Sequence, residues 1–129
     1  MSRVSASSTS NTRILLVNDD PSLRRLLEIV LQQAGYRVVN AREGSDAMET
    51  LNDGEELRLI ITESELPQLS GYELARRARS IHPEIGILLL AGRFLTEKPE
   101  GIDCELLHKP FMPEDFLRSV RKLLGEPAS

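Results

Sequence analysis

Cysteine occurs once in this chain of 129 residues, and tryptophan not at all. A lone thiol, Cys104, cannot close an internal disulfide or build a cysteine-rich metal site. With no activating neighbour in the sequence, Cys104 is expected to be a small residue near the surface. Aromatic residues make up only 4%, which leaves a basic surface without the stacking platforms that single-stranded nucleic acid uses. The net charge is −4, the wrong sign for a general grip on nucleic acid. No apolar run nears the roughly 20 residues needed to span a bilayer. The opening MSRVSASSTSNT lacks the apolar middle of a secretory signal. Together these absences fit a cytoplasmic setting, with no membrane and no direct nucleic-acid contact.

What is present is ordinary for a globular domain: 40% hydrophobic and 28% charged residues, in a chain long enough to bury one real core. Residues 1–12 are polar and Ser-rich and are expected to form a disordered tail. Residues 13–125 read as one domain and 126–129 as a short C-terminal tail. RILLV (13–17), YRVV (36–39), LRLIIT (57–62), IGILLLA (85–91) and ELLH (105–108) are short apolar runs, read as strands. Between them lie helical spacings. Asp20–Pro21 reads as an N-cap followed by proline at the first helical position. Leu23, Leu26, Leu27, Val30, Leu31 and Ala34 then recur by three and four, and Gly35 ends the helix. Ala47, Met48 and Leu51 mark a second helix, Leu74, Ala75, Ala78 and Ile81 a third. Pro113 opens a last one carrying Phe116, Leu117, Val120, Leu123 and Leu124. Such alternation implies an α/β fold, a doubly wound parallel sheet with helices on both faces.

In that architecture a ligand sits beyond the carboxyl ends of the strands, so the strand tips are the residues to read. Strand one ends in Asn18, Asp19 and Asp20, and strand three in Glu63. Strand four ends in Ala91 and Gly92, strand five in His108, Lys109 and Pro110. With strands one and three adjacent, Asp19 and Glu63 would share a crevice. Two close carboxylates repel and call for a cation, a lysine or a raised pKa. Lys109 supplies one positive charge, and a hard ion such as Mg²⁺ would supply the rest.

RILLVNDDP, ELPQLSG and HKPF, in that order on those tips, resemble the receiver domain of bacterial two-component response regulators. The resemblance covers about residues 13–125. It implies a flavodoxin-like sheet in the order 2-1-3-4-5, with phosphoryl transfer from a histidine kinase to an aspartate beside bound Mg²⁺. It also implies a cis Lys109–Pro110 bond. The motif is incomplete here. Asn18 stands for the first member of the family's acidic pair, and Asp19 for the second. Glu63 occupies the phosphoacceptor position, and Glu65 the position whose backbone carbonyl faces the metal. Ala91 stands where the family has Thr or Ser, and Leu106 where it has an aromatic switch residue. Lys109 is the family's lysine.

Each departure weakens the same chemistry, which is mostly positioned charge. Ala91 removes a hydroxyl donor, and Asn18 removes a charge. Glu63 carries its carboxylate outward by roughly an ångström, a misplacement that costs about 10²-fold in rate. The expectation is a degenerate receiver: not an enzyme, but a phosphorylation-independent interaction module in two-component signalling. Its partner would be a histidine kinase or an output domain or protein, and the chain itself would be a monomer or weak homodimer. No cofactor would be required, and Asp19, Glu63 and the Glu65 carbonyl would hold Mg²⁺ only weakly. The alternative is an active receiver phosphorylated on Glu63 with Mg²⁺. Between Ala91 and Lys109, the breakers Pro99 and Gly101 and the few apolar anchors Phe94 and Leu95 predict a shortened or irregular fourth helix. Arg24, Arg25, Arg76, Arg77 and Arg79 read as solvated helix faces, and His82 as a surface cap.

Overall fold

The central strands are buried almost throughout and mostly apolar because they are covered on both sides. The computed structural model describes residues 12–92 and 101–127. Its elements run β1 (Arg13–Val17), α1 (Pro21–Gln33), β2 (Arg37–Ala41), α2 (Gly44–Leu51), β3 (Leu59–Glu63), α3 (Gly71–Ile81), β4 (Gly86–Ala91), β5 (Glu105–His108) and α4 (Pro113–Leu124). All strand pairs are parallel, and the sheet order is β2-β1-β3-β4-β5. The doubly wound, five-stranded α/β expectation therefore holds.

Successive strand residues face opposite sides. Ile14, Leu16, Leu59, Ile61, Leu88 and Leu90 pack with Leu27 and Leu31 of α1 and with Phe116, Val120 and Leu124 of α4. Leu15, Val17, Ile60, Ile87 and Leu89 pack instead with Ala47 and Leu51 of α2 and with Leu74, Ala75 and Ala78 of α3. Each fully buried Leu or Ile contributes roughly 1.5–3 kcal/mol of transfer free energy, so the two layers fix strand register firmly. The helix starts follow capping chemistry. The Asp20 carboxylate accepts from the Ser22 and Leu23 amides, with Pro21 at the first helical position. Ser70 Oγ accepts from Glu73 N at 3.1 Å. Asp115 Oδ2 accepts from Met112 N at 3.1 Å at the start of α4, and Gly125, at φ 73°, closes the helix.

Several expectations shift. The third strand extends to Glu63, which pairs in register with Leu90, because the site residue is itself a ladder residue. The second strand runs Arg37–Ala41, and Tyr36 turns inward, only 5% exposed. Cys104, expected near the surface, is buried at 4% exposure in the core under α2 and α3; it is small enough to fill the space where the chain enters β5. Thr12, placed in the tail, is buried, and its carbonyl accepts from Arg37 N at 2.9 Å. Glu126, placed in the C-terminal tail, accepts the Tyr36 hydroxyl at 2.6 Å. Arg79 is no solvated face residue: it donates to the Ile85 and Asp103 carbonyls, each at 2.9 Å. His82 caps α3, and its Nε2 lies 3.0 Å from the Leu51 carbonyl. The expected tail 1–11, residues 128–129 and the expected irregular helix around Phe94, Leu95 and Pro99 lie outside the described residues. Among the described residues no helix is long and apolar enough to cross a membrane.

Tyr36 supplies a test of this packing. Burial, reinforced by the Glu126 carboxylate, pushes its phenol up to about 12, above the ordinary value of about 10. A group whose pKa is raised on folding stabilises the fold fully below its unfolded value and loses that contribution as pH rises through the folded one. Urea midpoints are therefore expected to fall between about pH 10 and about pH 12, and to fall less in Tyr36→Phe than in the wild type.

Candidate functional site

The tips of β1, β3 and β5 meet on one carboxylate. Glu63 is the last residue of β3, and the chain behind it returns tightly. Gly71 N donates to the Ser64 carbonyl at 2.9 Å, and Ser64 N donates to the Leu90 carbonyl at 2.9 Å. A Cβ on Gly71 would lie 2.0 Å from the Glu63 carbonyl oxygen, so the turn closes only around glycine. Thr62 Oγ1 donates to that same carbonyl at 3.0 Å. The backbone of Glu63 is thus fixed, and its side chain is delivered inward, 7% exposed as a residue.

Both carboxylate oxygens are taken. Lys109 Nζ donates to Glu63 Oε1 at 2.6 Å, and Asn18 Nδ2 donates to Glu63 Oε2 at 2.8 Å. Lys109 is positioned by its own amide, which donates to the Ala91 carbonyl at 2.9 Å, and it precedes a cis bond to Pro110, as the resemblance implies. Asn18 is fully buried and fully used. Its amide N–H donates to the Ala41 carbonyl at 3.0 Å. Its Oδ1 accepts from Asp20 N at 2.9 Å. Its carbonyl accepts from an Arg24 guanidinium nitrogen at 2.7 Å. Hydrogen bonds to an ionised acceptor are roughly twice as strong as neutral ones, so this is the strongest polar cluster at the strand tips.

No other expected site residue among those described bonds to the Glu63 carboxylate. Asp19 and Asp20 are exposed, the latter capping α1; Glu65 is exposed in the β3–α3 loop. Ala91 is fully buried and offers only a methyl group at the β4 tip. Leu106 is half-buried against the core under α2 and α3, in register with Leu89. His108 is exposed in β5 beside Lys109. Among the described residues, no three or more of His, Cys, Asp and Glu come together as a metal site. The donor set fits Mg²⁺ poorly, since the ion demands several oxygens in near-octahedral array: Glu63 has both oxygens on donors and the Asn18 side-chain oxygen is on the Asp20 amide, which leaves the exposed Asp19 carboxylate and the Glu65 loop to offer oxygen.

Sequence reasoning missed Arg24, which it placed on a solvated face. The available signal was its position four residues after the Asp20 cap, where a first-turn side chain reaches back over the β1 tip. It also missed an apolar groove of about 450 Å³ beside Lys109, lined by Leu23, Leu27, Val30, Phe111 and Pro113.

Comparison with known proteins gives the family of this fold. The family described as response regulator receiver domain matches residues 14–121. The response regulator receiver protein CpdR of Brucella abortus is 36% identical over 116 residues, covering 87% of this chain and 96% of that protein. The response regulator MprA of Mycobacterium ulcerans is 34% identical, covering 88% of this chain and 50% of its own. The chain thus spans nearly all of the first relative and about half of the second. Among solved structures, a response regulator receiver protein from Sinorhizobium medicae superposes with a TM-score of 0.79 at 29% identity, covering 88% of this chain and 94% of that one. A putative response regulator from Chloroflexus aurantiacus gives 0.79 at 28% identity, covering 89% and 98%.

Two substitutions test the geometry. Lys109→Met keeps the apolar stem but leaves the enclosed Glu63 carboxylate with one donor. It is expected to cost about 1–3 kcal/mol in urea unfolding. Gly71→Ala drives a methyl into backbone that cannot yield and is expected to cost about 3 kcal/mol, with shifted amide resonances at Glu63 and Ser64.

Proposed function

This chain belongs to the response regulator receiver family of two-component signalling, and from that premise we propose that it serves there as a phosphorylation-independent protein-interaction module. The observation that carries the reading is the double engagement of Glu63, with Oε1 on the Lys109 ammonium and Oε2 on the Asn18 amide. A carboxylate that attacks a phosphoryl group must present a free oxygen in line with the leaving group. Here each oxygen faces a donor within hydrogen-bond distance, and freeing Oε2 strands the buried Asn18 amide. Ala91 brings no hydroxyl to the same tip, so one of the dipoles that would steady a transferring phosphoryl group is missing. The pocket holds one negative charge where a phosphoryl group would bring nearly two. It is a fixed, neutralised ion pair and not an enzyme site.

Receivers of this family meet histidine kinases and output domains, and those are the classes of partner proposed here, in the cytoplasm, with the chain monomeric or weakly dimeric. The competing reading, an active receiver that accepts phosphate on Glu63, shares the Lys109 contact and differs in needing Glu63 to be released.

Incubation with acetyl phosphate and Mg²⁺ followed by intact mass separates the two. The expected result is an unchanged mass, together with unchanged amide resonances around Glu63 on adding beryllofluoride. Gain of one phosphoryl group per chain, lost in Glu63→Gln, would overturn the proposal.

A further inference from the structure

We infer that Asn18 makes this pocket independent of divalent metal, its side-chain amide holding the Glu63 oxygen that a cation would otherwise hold. The inference deepens the reading above by naming how the same pocket is regulated, or rather why it is not regulated by Mg²⁺.

Three observations carry it. The first is orientation. Asn18 Oδ1 accepts from Asp20 N at 2.9 Å, which turns the Nδ2 end toward Glu63 Oε2 at 2.8 Å. The amide therefore presents donors, not lone pairs, to the carboxylate. A cation entering between them would meet N–H groups on one side, and Mg²⁺, which gives up its water reluctantly, gains nothing from such a face.

The second is charge. The acids at the β1 and β3 tips are Asp19, Asp20 and Glu63, of which only Glu63 is buried. The bases are Lys109, on Glu63 Oε1, and Arg24, whose guanidinium reaches the Asn18 carbonyl at 2.7 Å. Lys109 neutralises Glu63 directly, Asp19 and Asp20 stand exposed to water, and Asn18 adds no charge. A carboxylate at position 18 would bring a second anionic oxygen within about 3 Å of Glu63, where two carboxylates cannot both stay ionised without a cation or a proton between them.

The third is connectivity. Through Asn18, the β1 tip is tied to β2 by the Ala41 carbonyl, to α1 by Asp20 and Arg24, and to β3 by Glu63. Because Asn18 is fully buried, these bonds are not exchanged with water. The arrangement is complete without any added ion.

The test is a Mn²⁺ and Mg²⁺ titration of the full chain, read by paramagnetic broadening of amide resonances and by Tm against NaCl of matched ionic strength. In the wild type, residues 18–20 and 63–65 are expected to show no selective broadening, and Mg²⁺ is expected to leave Tm unchanged. In Asn18→Asp, Tm is expected to fall by at least about 4 °C without divalent ions and to recover with Mg²⁺, and selective Mn²⁺ broadening is expected at those residues. Saturable, site-selective broadening in the wild type would overturn the inference, as would a folded Asn18→Asp protein indifferent to both ions. If the variant does not fold, the wild-type titration decides alone. Metal binding without phosphate uptake from acetyl phosphate would sink this inference and spare the proposed function; phosphate uptake on Glu63 without metal broadening would do the reverse.

Discussion

The carboxylate of Glu63 is the point on which three strand tips agree. It is almost removed from water, and a buried charge is tolerated only when it is paired and hydrogen-bonded. Lys109 from the end of β5 and Asn18 from the end of β1 supply the pairing. Neither could do so without the sheet order, which sets β1 beside β3 and carries β5 round on the far side of β4. The ion pair in turn holds the ends of strands that the hydrophobic layers fix only along their length. Lys109 remains 37% exposed, so its side of the pair is screened by water. The Asn18 side is closed off, and the burden of fixing the Glu63 side chain falls there.

The backbone serves that same side chain. Gly71 lets the β3–α3 loop fold back onto the Glu63 carbonyl, and Ser64 bridges to both Leu90 and Gly71. The first turn of α1 performs a matching service at the other tip, where the Asp20 amide orients Asn18 and Arg24 covers its carbonyl. Two loops that differ in sequence and length thus converge on one hydrogen bond, Asn18 to Glu63. Those loops sit where the crossovers of β1 and β3 part to opposite faces of the sheet, the usual place for a ligand in such folds. Here Asn18, Glu63 and Lys109 bond to one another at that place.

Most of the fold was legible because it depends on patterns that survive in a single sequence. Apolar runs such as RILLV and ILLL had to be doubly covered strands, and the spacing of Leu23, Leu27 and Leu31 or of Phe116, Val120 and Leu124 had to be helix faces. The positions of Asn18, Glu63 and Lys109 at strand tips followed from that alternation. Less legible was anything that depends on distance across the chain. Asn18 read as a lost acid, yet it is a donor, and only the placement of Asp20 N explains which end of its amide faces Glu63. Asp19 read as the neighbour of Glu63, and it is exposed where Glu63 is buried. Cys104 and Tyr36 were misjudged or passed over because neither has a periodic neighbourhood that marks burial. Arg24 and Arg79 look like surface charge in any helical projection, and only the carbonyls they reach give them a role.

A switch needs two states and a ligand that prefers one of them, since a ligand with equal affinity for both shifts nothing. In this pocket the anion is part of the chain and its counter-charge is too, so under the proposed function their interaction needs no added ligand. Leu106 points the same way. It is packed half-buried against the core opposite α1 and α4, where an aliphatic side chain contributes burial but has no polar end to move between buried and exposed settings. Whatever surface the strand tips and neighbouring helices offer is then offered continuously. On the proposed reading, control over such a module passes to the partner, through how much of it is present and in what state.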